Sequence, residues 1–189
     1  MMALEIRLIF SYISIFCSLI LVSSSKAQDF DWPSYGGDNG SSKYAPLSQI
    51  NAENVSRLVT AWEWESPDNA LVSDIIRDGG PMLRPGPFKA TPVVVDGSMY
   101  LPTTYGQIVS LNPVSGQINW VFDTKTYEDG RPTNLGFNVR GVAYWDGGEE
   151  KRIFFATNNS YLWSIDSATG TPDSGFGNAG KIDLTLGLG

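Results

Sequence analysis

The chain has 189 residues, with 20 acidic and 13 basic side chains, no histidine and one cysteine, Cys17. Without histidine it cannot build a histidine-based triad, an HExxH zinc site or a histidine general base, and a net charge of −7 with no basic run argues against a nucleic-acid partner. Because Cys17 lies in an N-terminal apolar segment, the remainder of the chain has no disulfide and no cysteine-based metal site.

Residues 1–27 have the features of a signal peptide. Arg7 precedes an apolar run at 8–22 that is short for a membrane span, and Ser25-Lys26-Ala27 places small residues at both cleavage-determining positions. We therefore expect cleavage before Gln28 and a periplasmic location. An uncleaved anchor, which would associate the protein with a membrane, is the alternative. Cleavage leaves 19 acidic and 11 basic residues, a net charge of −8, so any anionic ligand needs local cations to hold it.

The segment that follows the leader combines polar turns with aromatic residues. Loop 29–47 returns repeatedly to aromatic side chains, which predicts that it is pinned across a core. Asn51 is a candidate cap for a short helix at 52–58. Residues 60–65 alternate, with Trp62 and Trp64 on one side, which predicts a half-buried strand. The Pro/Gly-rich segment 66–88 and a second segment, 124–139, are predicted to be long loops.

Residues 28–189 are organised around a pattern that occurs twice. Asp96-Gly97 and similar turn residues separate short apolar runs, as in a meander of hairpins. The two copies share their turn chemistry at an offset of 50 residues, which becomes 54 after an enlarged hairpin. The predicted strands are 91–95, 98–103, 107–111 and 117–122 in the first copy, and 142–145, 152–157 and 161–165 in the second.

A four-stranded unit repeated at this period predicts an all-β fold, the β-propeller, with blades at 91–122 and 141–175. A sandwich of regular hairpins is the alternative, but it does not explain the matching turns. Because a ring needs roughly four to eight such blades, we expect the chain to be the N-terminal part of a longer protein. Closure by oligomerisation is the other possibility. In a closed ring, the predicted strand at 60–65 would complete the last blade.

The end of the first copy resembles the tryptophan-docking motif of the pyrroloquinoline quinone (PQQ) dehydrogenases. Gly116 makes the turn, Ser115 can hydrogen-bond within it, and Trp120 offers a flat face to the next blade. In the second copy Gly170 keeps the turn, while Ser174 stands in the place of the tryptophan. Four further segments are similar to this family, especially its membrane-type glucose dehydrogenase branch: WPSYGGD at 32–38, YAPL at 44–47, QINAENV at 49–55 and RGVAYW at 140–145.

The resemblance implies an eight-bladed propeller that binds PQQ together with a divalent cation, usually calcium. It implies oxidation of a sugar or alcohol by hydride transfer to PQQ, with electrons passed on to a quinone or cytochrome acceptor. The calcium ligands and the catalytic aspartate of the family would lie beyond Gly189. Within the chain, Asp146, Glu149 and Glu150 form a charged hairpin tip typical of a solvated turn, and Asp166 is a turn-former.

Two cations are the candidate cofactor residues. Arg140 stands where the family places an arginine that contacts PQQ, although a structural ion pair or a hydrogen bond at the end of a blade would also account for it. Lys89 occupies the position of a cofactor-side glutamate in the methanol dehydrogenase branch, although an exposed rim lysine is the alternative. Where that branch has adjacent cysteines, this chain has Asn134 and Leu135.

The sequence therefore leaves two candidate functions. The first is the N-terminal part of a periplasmic PQQ-dependent dehydrogenase that is inactive as an isolated piece. The second is a non-catalytic propeller that acts as a protein-binding scaffold at the outer membrane. Arg140 in its RGVAYW context and the long loops favour the enzyme, whereas the scaffold would gain from a lipoprotein cysteine that the chain lacks.

Overall fold

The computed structural model describes residues 30–77, 84–132 and 136–188, so the predicted leader, Asn134 and Leu135 lie outside the described residues. Eight strands form two four-stranded antiparallel sheets, and each sheet is a simple meander in chain order. The strands are β1 (Val93–Val95), β2 (Ser98–Pro102), β3 (Gln107–Leu111) and β4 (Ile118–Asp123) in the first sheet, and β5 (Ala143–Asp146), β6 (Lys151–Ala156), β7 (Tyr161–Asp166) and β8 (Lys181–Asp183) in the second.

The turn chemistry explains the meander. Asp96 and Gly97 have φ of 49° and 69°, which is the left-handed backbone of a two-residue hairpin whose twist matches the strands. The hairpin sets the register, with Val95 opposite Ser98. Before the turn at Gly116 the pairing of β3 with β4 shifts by one residue after Ser110, which increases the local twist of the sheet.

The core lies between the two sheets. Buried side chains from both sheets meet there, and Val139 from the connecting loop joins them; the set is Val93, Val95, Tyr100, Ile108, Val139, Ile153, Phe155 and Ile165. At one edge the first strands converge, because the Thr91 amide donates to the Arg140 carbonyl at 2.8 Å and Thr91 forms a parallel bridge with Gly141. This is the relation expected of two neighbouring propeller blades, whose inner strands meet near the ring axis.

Tryptophan docking connects successive units. The Trp120 indole lies against Gly170, and its Nε1 donates to the Ser167 carbonyl at 3.1 Å. Trp62 makes the same arrangement one unit earlier, since its Nε1 donates to the Pro113 carbonyl at 3.0 Å and its ring covers Gly116. A Cβ at either glycine would lie 2.6 Å from the ring that covers it.

The prediction of a strand at 60–65 was wrong with respect to backbone hydrogen bonding. The segment alternates as expected, with Trp62 and Trp64 half-buried between exposed neighbours, but it pairs with no strand among the described residues. A strand requires a partner for its backbone groups, and side-chain alternation alone does not supply one. The docking of Trp62 nevertheless puts this segment where the outer strand of a preceding blade would lie.

The predictions for the segments 52–58 and 66–88 also need correction. The predicted helix at 52–58 is reduced to the 3₁₀ helix Val55–Arg57, although Asn51 does accept hydrogen bonds from the amides of Glu53 and Asn54. The predicted loop at 66–88 contains the helix α1 (Asp68–Arg77). Throughout the described ranges, no helix has the length and apolar character needed to cross a membrane.

The second sheet extends further than the predicted 141–175, because its fourth strand is Lys181–Asp183. The chain first touches β7 through Pro172 and the Asp173 amide, then turns away and returns at Gly180. Pro172 cannot donate to a strand ladder, and Ser174 offers no large apolar face to keep the segment against the sheet. The ladder therefore restarts after the excursion.

Candidate functional site

The two predicted cofactor residues lie together. Lys89 precedes β1 and Arg140 precedes β5, so the contact between Thr91 and Arg140 brings the entrances of the two inner strands side by side. Both cations line an open cleft of about 550 Å³, together with Tyr35, Thr91 and Gly141.

The cleft has the chemistry of an anion site. Its side chains are two cations and two hydroxyls, with no carboxylate among them. Elsewhere in the described residues, ion pairs occupy Lys125, Lys151 and Arg152, whereas none joins Lys89 or Arg140 to another described residue. An exposed guanidinium can grip a carboxylate with two parallel hydrogen bonds, and an exposed ammonium adds a point charge. In an acidic chain this local pairing of cations is the feature needed to hold an anionic ligand.

Tyr35 was not predicted as a site residue. Trp32 exchanges two backbone hydrogen bonds with Val94 of β1, at 2.6 and 2.9 Å, and this pairing carries the following residues along the inner edge of the first sheet to the cleft. The Lys43 ammonium lies 5.4 Å from the centre of the Tyr35 ring. The sequence signal was the aromatic-rich loop at 29–47, which predicted pinning but not the place where the tyrosine would lie.

Asp68 is the second residue that the sequence analysis missed. It is only 6% exposed, and its carboxylate accepts from the hydroxyls of Thr103 and Thr104 at 2.6 and 2.8 Å and from the Tyr105 amide at 3.2 Å. Burial, and then the charge of Asp68, raise the pKa of the Tyr105 hydroxyl. Ser66-Pro67-Asp68 was the available signal, because serine, proline and an acid are typical of the first positions of a helix.

At the opposite end of the sheets, a polar contact joins the two first hairpins. Asp96 accepts from the Tyr144 hydroxyl at 2.9 Å and from the Lys151 ammonium at 2.7 Å. The hydrogen bond from Lys151, followed by that from Tyr144, lowers the pKa of Asp96. Burial, and then the hydrogen bond to Asp96, raise the pKa of Tyr144. This contact links the two sheets and does not reach the cleft.

The acidic turns have structural explanations. Asp146 accepts from the Gly148 amide at 2.8 Å, and Asp166 accepts from the amide and hydroxyl of Thr169, both at 2.8 Å. Glu150 pairs with Arg152 at 2.7 Å. In the described part of the chain, no three acidic side chains gather into a group able to hold a metal ion.

Comparison with known proteins identifies the fold. The family model described as PQQ, glucose/ethanol/alcohol dehydrogenase, beta-propeller domain, matches residues 32–189. A quinoprotein glucose dehydrogenase of Gluconobacter oxydans (strain 621H) is 31% identical over 175 residues, which cover 82% of this chain and 20% of the relative. The dehydrogenase subunit of an alcohol dehydrogenase (quinone) from the same organism is 30% identical over 146 residues, which cover 74% of this chain and 16% of the relative.

A solved structure agrees with these sequence relatives. The quinohemoprotein alcohol dehydrogenase of Comamonas testosteroni superposes with a TM-score of 0.62 at 26% identity, and the match covers 84% of this chain and 20% of that one. The two four-stranded sheets are therefore blades of a β-propeller, and the propeller prediction is confirmed. The chain spans about a fifth of the length of the relatives it matches.

Proposed function

Because the chain belongs to the β-propeller family of PQQ-dependent glucose, ethanol and alcohol dehydrogenases, we propose that it is the N-terminal part of a periplasmic dehydrogenase that oxidises a sugar or an alcohol. The observation that carries the proposal is the convergence of Lys89 and Arg140, with two hydroxyls, in one cleft between the inner strands. When bound, PQQ supplies the redox chemistry by accepting a hydride from the substrate.

The donor set of the cleft fits this cofactor, since PQQ is planar and carries three carboxylates. Arg140 would hold one of these carboxylates, because a guanidinium presents a fork of N–H donors that suits a carboxylate. Lys89 would supply a second positive charge from the loop that precedes β1, and the hydroxyls of Thr91 and Tyr35 would be additional donors. Together these groups would bind and orient the cofactor at the place where the blades meet.

The remaining parts of the function are proposed for the longer protein. Calcium ligands and the catalytic base would come from residues other than the described ones, and a quinone or cytochrome would receive the electrons. A sugar or alcohol substrate is proposed because relatives named for glucose and for alcohol both match this chain. We expect the isolated 189-residue chain to oxidise no substrate.

Cofactor titration tests the assignment of Arg140. The protein expressed from its complete reading frame is purified without cofactor and titrated with PQQ in the presence of calcium. Loss of a hydrogen bond between charged groups costs about 1.5–3 kcal/mol, so Arg140→Ala should weaken PQQ binding by about 10- to 100-fold. The matched control is Arg57→Ala, which removes an exposed arginine that does not line the cleft and should leave the Kd unchanged.

A dye-reduction assay on glucose and simple alcohols then tests the activity. Turnover that requires PQQ supports the dehydrogenase. A complete protein that neither binds PQQ nor reduces dye would contradict it and favour the scaffold. Equal PQQ affinity in wild type and Arg140→Ala would remove the assignment of that residue.

A further inference from the structure

We infer that Asp68 is a positioning residue, which fixes the two loop ends that carry Lys89 and Arg140 by tying helix α1 to the turn between β2 and β3. The consequence for cofactor affinity rests on the proposed function, whereas the mechanical link does not. Three features of the structure carry the inference: a buried carboxylate, an apolar cluster and a close backbone contact.

The buried carboxylate joins two segments that are distant in the sequence. Asp68 begins α1, while its donors Thr103, Thr104 and Tyr105 lie about 35 residues later in the β2–β3 turn. The Thr103 hydroxyl also accepts from the Gln107 amide at 3.1 Å, so the carboxylate is connected to the start of β3. A charged, buried acceptor with three donors holds its partners firmly, because none of them has water as an alternative.

An apolar cluster continues from this anchor to the loop before β5. Tyr105 is fully buried and its ring meets that of Phe137 edge-on, with ring centres 4.8 Å apart. Leu71 and Val72 of α1 pack on the same cluster. Phe137 is 1% exposed and lies three residues before Arg140, so its burial limits where the arginine can stand.

The third feature couples the loop before β1. Gly86 lies against the backbone of Phe137 so closely that a Cβ there would overlap the Phe137 carbonyl oxygen. Gly86 is three residues before Lys89, and the Thr91 amide then bonds to the Arg140 carbonyl. Both cation-bearing loop ends therefore rest on the one phenylalanine whose position α1 and Tyr105 determine. A misplacement of about 1 Å in a binding group can have large functional effects.

Hydrogen exchange tests the mechanical link without any cofactor. In the complete protein, Asp68→Asn keeps the size of the side chain but removes its charge and one acceptor. The peptides that cover 84–92 and 136–141 should exchange about 10-fold faster, in line with the loss of one charge-assisted hydrogen bond. Peptides from β7 and β8 should be unchanged.

The matched control is Asp166→Asn, which also removes one negative charge from a carboxylate with three hydrogen bonds. It introduces the residue that the first copy of the repeat has as Asn112, and it should leave the exchange of both cleft peptides as in wild type. Thr104→Val is the milder variant, because it removes one donor to Asp68 and keeps the β-branched shape. Thr104→Val should also speed the exchange of both peptides, but by a smaller factor than Asp68→Asn. It decides the test if Asp68→Asn does not fold.

Two readouts separate the inference from the proposed function. The link is overturned if the peptides covering 84–92 and 136–141 exchange as in wild type in Asp68→Asn. If Asp68→Asn does not fold, the same result in Thr104→Val overturns it. Neither outcome depends on whether PQQ binds. If exchange rises as expected, PQQ affinity should fall by about 10-fold in Asp68→Asn and remain unchanged in Asp166→Asn. Faster exchange with an unchanged PQQ Kd would overturn the positioning role. A wild-type protein that binds no PQQ would contradict the proposed function while the exchange result still decides the link.

Discussion

Replacing Gly170 by alanine should destabilise the docking of Trp120 between the two blades. Gly170 has φ of +72°, and a Cβ there would lie 2.6 Å from Cδ2 of the Trp120 ring. The left-handed backbone alone costs an alanine roughly 1–2 kcal/mol. Displacement of the indole would also break its hydrogen bond to the Ser167 carbonyl, worth about 1 kcal/mol, and overpack the site by about 1–3 kcal/mol. We expect a total of about 3–6 kcal/mol.

Gly97→Ala is the matched control for this prediction. Gly97 has nearly the same φ, +69°, but a Cβ there meets nothing within 4 Å. It should cost only the backbone term of roughly 1–2 kcal/mol. Urea unfolding of wild type and both variants, followed by tryptophan fluorescence, measures the difference. If the two alanine variants lost the same stability within about 0.5 kcal/mol, the docking contact would contribute nothing and the reasoning would be refuted.

Two further predictions concern the contacts that join successive units. The pKa of Asp96 is lowered by its hydrogen bonds from Lys151 and Tyr144, so its stabilising effect is complete above the unfolded-state value and is lost as the pH falls through the folded-state value. Melting temperatures measured across the acid range should therefore fall less steeply in Asp96→Asn, and an identical slope would contradict this role. Trp62→Phe keeps an aromatic ring but loses the hydrogen bond to the Pro113 carbonyl, so it should cost about 1 kcal/mol in urea unfolding. Wild-type stability in that variant would show that this bond is not needed.

Much of the first blade could be predicted because its signals are local. Turns such as Asp96-Gly97 and the short apolar runs between them are readable within a few positions, and the predicted strand 107–111 coincides with β3. The prediction of the second blade was less accurate, because Pro172 and Ser174 interrupt its last strand. No residue nearby in the sequence indicates where that strand restarts. The segment 60–65 kept its alternation but had no described partner strand, which a pattern in one segment cannot reveal.

The candidate site was also predicted only in part. Arg140 and Lys89 were found through resemblance, and their placement in one cleft follows from two inner strands that start side by side. Tyr35 and Asp68 were not predicted because their positions depend on distant partners. Tyr35 follows the segment in which Trp32 pairs with β1, and Asp68 is hydrogen-bonded to a turn about 35 residues away.

By itself, the sequence determined the repeated four-stranded unit, the glycine turns and the docking tryptophan, because each depends on backbone preferences within a few residues or on a pattern that recurs along the chain. Only the tertiary structure decided which groups face one another: the two cations in one cleft, the buried Asp68 against the turn between β2 and β3, and Trp62 on Gly116. The physical reason is that such contacts are made between segments whose separation in sequence carries no information about their distance in the folded protein.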